Sequence, residues 1–358
     1  MELKLIRVKS RNHAMKVIVV GGGIAASFTA YFLKSMGADV VVIGEKPKYP
    51  LASLVLTQSM PYVDDILLAK ESLTVYRQFT EPKPVTSIDI MPKWINLNPL
   101  KTAGVDYRII EEANWVRLSR DEFIVVTTDY MIPIRHIVSE LRRRMNAVKA
   151  KASLKLINGS LTVVANGKRY IGDSIVLAAG PGNTELAMQV GVKLPLKSYQ
   201  CYASVMTGPI KVMNLSIGDD VLGWYSRPFI PGLFIAGDGC GKPNEGVPPG
   251  YGRRIARLIS IRFGWALPIF TRSGTCEVSP SGGPVYGMVK DNLYVIGGLD
   301  GYGSMSGPAL ARRLAELIIK GNAPMDDYRI EKYLNHGDWD ACSVERHNWL
   351  IATQVKGQ

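Results

Sequence analysis

Patterns that hold metals are missing from this chain. Its 358 residues include four cysteines and four histidines. Cys201, Cys240, Cys276 and Cys342 lie too far apart in sequence for metal-ligand spacing, and no H-x-x-H arrangement occurs. No protein metal site is expected, and the same spacing suggests no disulfide framework. Long apolar runs are missing too. Residues 258–269 form the longest, but they include Arg262 and stop well short of a membrane span. The first fourteen residues are basic and lack the apolar core of a signal peptide, so the expectation is a cytoplasmic protein with an extension ahead of Met15.

Acidic residues are in deficit: 31 Asp and Glu stand against 43 Lys and Arg, a formal net charge of +12. Such a balance admits an anionic cofactor or substrate, an anionic membrane surface approached peripherally, or nucleic acid. The basic groups at residues 142–144, 253–254 and 312–313 fall on different expected helices and do not interleave with aromatics. No nucleic-acid partner is therefore expected, and a solvated basic surface is the simpler reading.

Against these absences stands one string, residues 17–26, reading Val-Ile-Val-Val-Gly-Gly-Gly-Ile-Ala-Ala. Four β-branched residues in a row read as a strand buried on both faces. Gly21, Gly23 and Ala26 then occupy the three small positions of a dinucleotide-binding turn. Gly21 would permit the tight turn, Gly23 the close approach of a pyrophosphate, and Ala26 the packing of helix on strand, with Ile24 and Ala25 at the helix start. A helix over 27–36 and a second buried strand over 40–43 are expected to follow. An acidic residue is wanted at the end of that strand to hold ribose hydroxyls. Gly44 stands there, and Glu45 comes one residue later as the candidate.

Two further strings repeat the theme. Residues 175–183 read as a buried strand stopped by glycines. Residues 293–308 run from a strand through Gly297-Gly-Leu-Asp-Gly-Tyr-Gly-Ser-Met-Ser-Gly-Pro into an amphipathic helix over 309–319. Strand-rich stretches lie between, including strands over 123–127, 199–206, 221–225 and 233–236, a long loop over 237–250 and a helix over 251–261. A basic amphipathic helix is expected over 134–148. Binding segments at the start, middle and end of the chain imply two interleaved domains. The expected fold is α/β (α+β), with a discontinuous Rossmann-like domain at 15–60, 135–195 and 275–330. An antiparallel-sheet substrate domain is expected at 61–134 and 196–274, with a C-terminal extension at 331–358 whose Trp339 and Trp349 pack on the core.

Five ordered strings carry a resemblance: Gly21 to Ala26, Val176 to Pro181, Tyr225-Ser-Arg-Pro-Phe-Ile-Pro-Gly-Leu, Glu277-Val-Ser-Pro-Ser-Gly-Gly-Pro, and Gly298 to Pro308. Together they resemble the FAD-dependent amine and amino-acid oxidoreductases of the D-amino-acid oxidase superfamily, nearest the sarcosine oxidase, glycine oxidase and dye-linked proline dehydrogenase branch. The resemblance implies FAD with its pyrophosphate at Gly21 to Ala26. Ala179 and Gly180 would flank the adenosine end, and Gly298, Gly301, Gly303, Ser304 and Met305 would run along the isoalloxazine and the start of the last helix. It further implies hydride transfer from a C–N bond of a small amine or amino/imino acid, with Tyr302 and Tyr225 lining the reacting centre. The electron acceptor would be a quinone, a carrier protein or O2, with a partner subunit left open.

Departures from the family pattern bear on the substrate. Family members acting on amino acids hold the carboxylate with a cation where this chain has Cys276, or within the last glycine loop, where it has Gly301 and Met305. Arg227, Arg253 or Arg272 would have to supply that clamp, with Cys276 near the flavin or substrate. Three other readings stay open at this stage. They are an FAD hydroxylase or geranylgeranyl-reductase-like enzyme, a flavin-dependent tRNA-modifying enzyme, and a noncatalytic flavin subunit.

Overall fold

The structure, a computed structural model, describes residues 14–46, 54–56, 60–241, 246–323 and 326–343. In chain order the first half runs β1 (Lys16–Val20), α1 (Ile24–Ser35), β2 (Asp39–Ile43), β3 (Leu54–Leu56), α2 (Val63–Tyr76), β4 (Lys83–Pro92), α3 (Asn98–Thr102), β5 (Arg108–Ile110), β6 (Glu122–Ile132) and α4 (Ile134–Arg144). Next come β7 (Ser153–Ile157), β8 (Ser160–Ala165), β9 (Lys168–Tyr170), β10 (Ser174–Leu177), α5 (Asn183–Met188), β11 (Lys197–Thr207), α6 (Ile210–Asn214) and β12 (Ser216–Asp219). The chain closes with β13 (Trp224–Ile230), β14 (Leu233–Gly241), α7 (Tyr251–Phe263), β15 (Leu267–Val278), β16 (Val285–Lys290), β17 (Leu293–Gly297) and α8 (Gly303–Lys320).

Five strands form one sheet in the order β16-β17-β10-β1-β2, all parallel except β16. Side chains alternate across it, so the unbroken apolar run of β1 divides between two cores. Val17 and Val19 pack with α1, α2, α4 and α8. Ile18 and Val20 pack under α5 and a three-stranded sheet of β7, β8 and β9. The chain returns to this sheet twice after β2, first as β10 and then as β17, as three separated glycine-rich strings require.

The second sheet has the order β15-β11-β14-β13-β12-β4-β6-β3, with β5 added on β6. Its pairings are antiparallel apart from β12 with β4. One face is sealed by α6 and α7 over Ile88, Ile124, Tyr202, Trp224 and Phe234. On the other, Met91, Phe123 and Val125 join the core shared with α1 and α8. The two sheets are thus interleaved in sequence and fused through one hydrophobic core.

Several expected elements move. The stretch 61–134 contains a helix, α2, which packs on α1 and α8, with Ile66, Leu73 and Tyr76 in their core. The substrate-domain assignment of 61–134 thus includes a helix that packs with the other domain. Its pattern is hard to see because apolar residues ring most of the helix. The strand expected over 221–225 starts at Trp224, since the Gly223 amide donates to the Asp219 carbonyl in a turn. β14 runs on to Gly241, into the stretch expected to be loop. The basic helix stops at Arg144, followed by Asn146 at φ +48°. Trp339 is half-buried and lies under Lys197 Nζ, 5.1 Å from its ring centre, so the described part of the tail docks on β11. Trp349 lies outside the described residues.

Candidate active site

The carboxyl ends of β1, β10 and β17 come together, and each opens into a glycine-containing turn. At the first, crowding decides the residue type. Gly21 has φ +149°, and a Cβ there would stand 2.1 Å from the Ala178 carbonyl oxygen. A Cβ on Gly22 would stand 1.7 Å from the Glu45 carbonyl oxygen. Gly44 is held against Gly21, with 2.3 Å to the Gly21 carbonyl carbon from its own missing Cβ. The end of β2 therefore has no room for the expected acidic side chain, and Glu45 beyond it is exposed. Gly23 caps α1 without any side-chain hydrogen bond, and Ala26 is fully buried. The first N–H groups of α1, those of Ile24 and Ala25 among them, have no intrahelical partner and face outward along the helix dipole.

A buried arginine completes this turn. Arg142, in the last turn of α4, donates from Nη2 to the Gly44 carbonyl at 2.7 Å, and its Nη1 lies 2.9 Å from the Cβ position of Gly22. Grouped with its neighbours it reads as solvated charge. The signal that it is not lies in spacing, because it stands four residues after Val138 on the buried face of α4.

The second and third turns are tied together by a buried polar network. Asn183, at the start of α5, accepts from the Ala179 amide at 2.8 Å. Its Nδ2 donates to Glu277 Oε2 at 3.1 Å and to the Ile296 carbonyl at 3.2 Å. Glu277 Oε2 also accepts from the Gly298 amide at 3.0 Å. Burial pushes the Glu277 carboxyl up to about 8, against the downward pull of the Gly298 and Asn183 donors. Gly180 at φ +57° and Gly298 at φ +63° sit on either side of this network. Glu277 lies within one of the five strings, yet its role could not be assigned from sequence, because the partners come from two distant segments.

Facing the third turn is the antiparallel sheet. Register places Tyr199 and Cys276 opposite one another, Tyr225 opposite Gly237, Gly237 opposite Ala203, and Arg227 opposite Ile235. Alternation then sets Tyr199, Cys201, Tyr225, Arg227, Arg272 and Cys276 on one face. This face meets the loop before α8, since the Tyr199 hydroxyl donates to Asp300 Oδ1. Asp300 is 8% exposed and sits at φ +45°, so it faces inward rather than toward solvent. Burial drives the Tyr199 hydroxyl pKa far upward, and Asp300, Tyr302 and Tyr225 add to the shift by proximity. The two candidate tyrosines therefore gather around a third that sequence reasoning missed. Burial also raises the Tyr225 pKa, although 43% of its surface is accessible. Arg227 is half-buried, its pKa brought down to about 10 by burial. Ser304 and Met305 are buried at the start of α8, and the Tyr76 hydroxyl donates to the Ser304 carbonyl at 2.7 Å.

Two expectations fail here. Arg253 is exposed on α7, which packs on the opposite face of the sheet, so it does not join this cluster. Cys276 keeps its place on the sheet face of Tyr199 and Arg227, yet it is not a free thiol but half of a disulfide with Cys201. Cys342 is disulfide-bonded too. The expected absence of a disulfide framework is therefore wrong, because strand pairing brings together cysteines 75 residues apart. A separate cleft of about 430 Å³, lined by Arg108, Trp115, Ile210 and Lys211 among others, opens on the α6 side, away from this site.

A parallel sheet with glycine turns at its carboxyl ends, walled by an antiparallel sheet, is the architecture of a two-domain flavoprotein oxidoreductase. The model of the FAD dependent oxidoreductase (DAO) family matches residues 135–317, and the chain belongs to this family. It is 24% identical to YurR, an uncharacterised oxidoreductase of Bacillus subtilis (strain 168), over 86% of this chain and 96% of that one. Its fold is similar to that of L-proline dehydrogenase from P. horikoshii, with a TM-score of 0.77 at 18% identity, covering 90% of this chain and 98% of the other. Glycine oxidase from Bacillus cereus ATCC 14579 gives a TM-score of 0.69 at 16% identity, with 86% and 95% covered. Among the described residues no helix is long and apolar enough to cross a membrane.

Proposed function

We propose that this chain is an FAD-dependent dehydrogenase that oxidises the C–N bond of a small amine or amino/imino acid. The observation that carries the reading is the meeting of three glycine-rich turns with one face of the antiparallel sheet, where Tyr199, Tyr225, Tyr302 and Arg227 cluster. Backbone packs so closely at Gly21, Gly22 and Gly44 that no side chain fits, so the turn presents main chain alone to a pyrophosphate, which suits the cofactor. Uncapped α1 offers its N–H groups to the phosphates. Ala179 and Gly180 flank the adenosine end, Gly298, Gly301 and Gly303 the ring, and Glu45 remains the candidate for the ribose. When bound, FAD supplies the acceptor for a hydride from the carbon next to nitrogen.

The protein's own part is positioning. Arg227, a half-buried cation on the sheet wall, attracts an anionic group of the substrate, and it takes the place of the cation missing at Cys276 and Gly301. Tyr225, on the sheet, and Tyr302, on the loop before α8, donate hydrogen bonds to the substrate. Tyr199 stays protonated and locks Asp300, which fixes the loop before α8. The amine-oxidising relatives in fold support this substrate class, as does the lack of any demand for a general base in such chemistry. The test is an anaerobic screen of flavin bleaching across amines, N-methyl amino acids, proline isomers and hydroxy acids. Bleaching by an amine or imino acid is expected. Bleaching by hydroxy acids alone, or a purified protein that binds no flavin, would reject the proposal.

A further inference from the structure

The wall of the candidate site carries an oxidant of its own. Cys201 on β11 and Cys276 on β15 are joined as a disulfide, Cα to Cα 6.4 Å. Both are half-buried, on the sheet face shared by Tyr199, Tyr225 and Arg227. Cys276 Sγ lies 3.8 Å from the place a Cβ on Gly301 would take. Gly301 belongs to the loop that leads into α8, so the disulfide lies where sheet and loop meet, on the face away from α7. A second disulfide cysteine lies close in the fold. Cys342 is exposed in the short turn Ala341–Ser343, which packs against β11 and β14. Disulfide sulfur is thus present both on β11 and β15 and on a segment that packs against β11.

We infer that Cys201–Cys276 is a second redox centre, which takes the electron pair from reduced flavin and passes it to an external disulfide. The inference rests on the flavin reading above. In the first step two electrons leave the reduced flavin, the Sγ–Sγ bond breaks, each sulfur gains a proton, and oxidised flavin is restored. The protons come from the reduced flavin and from solvent. In the second step a thiolate of the pair attacks the acceptor disulfide and forms a mixed disulfide. The other thiol resolves it, so that Cys201–Cys276 re-forms and the acceptor leaves as two thiols.

The experiment needs no knowledge of the substrate. FAD-loaded protein is irradiated anaerobically with EDTA, which reduces the bound flavin, then denatured with iodoacetamide and mapped by peptide mass. Cys201 and Cys276 should both carry alkyl groups in the irradiated sample and in neither the dark sample nor the irradiated apoprotein. Oxidised glutathione added in the dark before denaturation should then restore the flavin colour and remove both alkylation sites, and it should leave the flavin bleached when Cys201 and Cys276 are both changed to Ser. Fully bleached flavin beside two unalkylated cysteines overturns the relay and leaves a purely structural bridge, with the flavin reading intact. Alkylation in the irradiated apoprotein overturns it too, since the thiols would then arise without flavin. Failure to bind flavin fells both readings, and the wild-type measurement decides even where the double variant does not fold.

Discussion

At the scale of single residues, the glycine turn after β1 tolerates almost no added atoms. Gly22→Ala places a methyl group 1.7 Å from a backbone carbonyl oxygen, which no side-chain rotation can relieve. Backbone must shift by more than an ångström, and both the turn and its hold on phosphate should be lost. The expected outcome is a purified variant with less than about a tenth of the wild-type flavin per chain, a loss of the size that about 1.4 kcal/mol or more of lost binding produces. Normal flavin occupancy would reject the assignment of this turn. Glu277 makes a different kind of prediction. Its carboxyl has an ordinary value of 4.5 and is pushed up to about 8 in the fold, so the folded chain holds the proton more tightly than the unfolded one. Stability from this group is full below about 4.5 and declines as pH rises from there to about 8. Glu277→Gln keeps the hydrogen-bonding shape without the charge. It should flatten that part of the curve of melting temperature against pH, while an unchanged slope would assign the dependence to other groups.

At the scale of elements, α7 is anchored by a buried ion cluster. Arg262 donates to Glu122 Oε2 at 2.6 Å and to Asp219 Oδ2 at 2.8 Å, joining α7 to β6 and β12. Burial alone would raise the Glu122 pKa, but the Arg262 and Ser119 hydrogen bonds outweigh it and bring it below the ordinary carboxylate value. Arg262→Ala leaves two buried carboxylates uncompensated and should cost about 3–5 kcal/mol, read by urea denaturation. A loss under about 1 kcal/mol would mean that the cluster relaxes or takes in water. The helix α8 shows how an element serves the site. Its start is pinned from three sides, by Tyr76 on the Ser304 carbonyl, by Ser72 Oγ accepting from the Ala309 amide, and by Tyr199 on Asp300. The helix itself is legible from its amphipathic pattern, but its first six residues are not, because Gly303, Gly307 and Pro308 are poor helix formers that packing overrides.

At the scale of the whole molecule, the two sheets cannot be cut apart in sequence, since each is built from segments that alternate along the chain. Cofactor binding between them should therefore be felt by the entire fold. FAD at about a 100-fold excess over its Kd adds about 2.7 kcal/mol to the stability of the apoprotein. In a chain of this size that appears as an upward shift of a few degrees in the melting midpoint. A midpoint that does not respond to FAD would sink the cofactor assignment independently of any turnover assay.

Much of this was decided locally and so could be read from the amino-acid order alone. An unbroken β-branched run followed by glycines defines a parallel strand and a tight turn into a helix, because the side-chain period and backbone freedom involved span only ten residues. Three such strings, read in order, imply the interleaved domains and the flavoprotein class. What the tertiary structure alone decided are the pairings across long stretches of chain. Gly44 meets Arg142 across 98 residues, Asn183 meets Glu277 across 94, Tyr199 meets Asp300 across 101, and Cys201 meets Cys276 across 75. No periodicity announces these contacts. They exist because the two sheets meet in the fold, so the glycine turn is a property of the sequence, while the sheet face with its tyrosines, arginine and disulfide is a property of the fold.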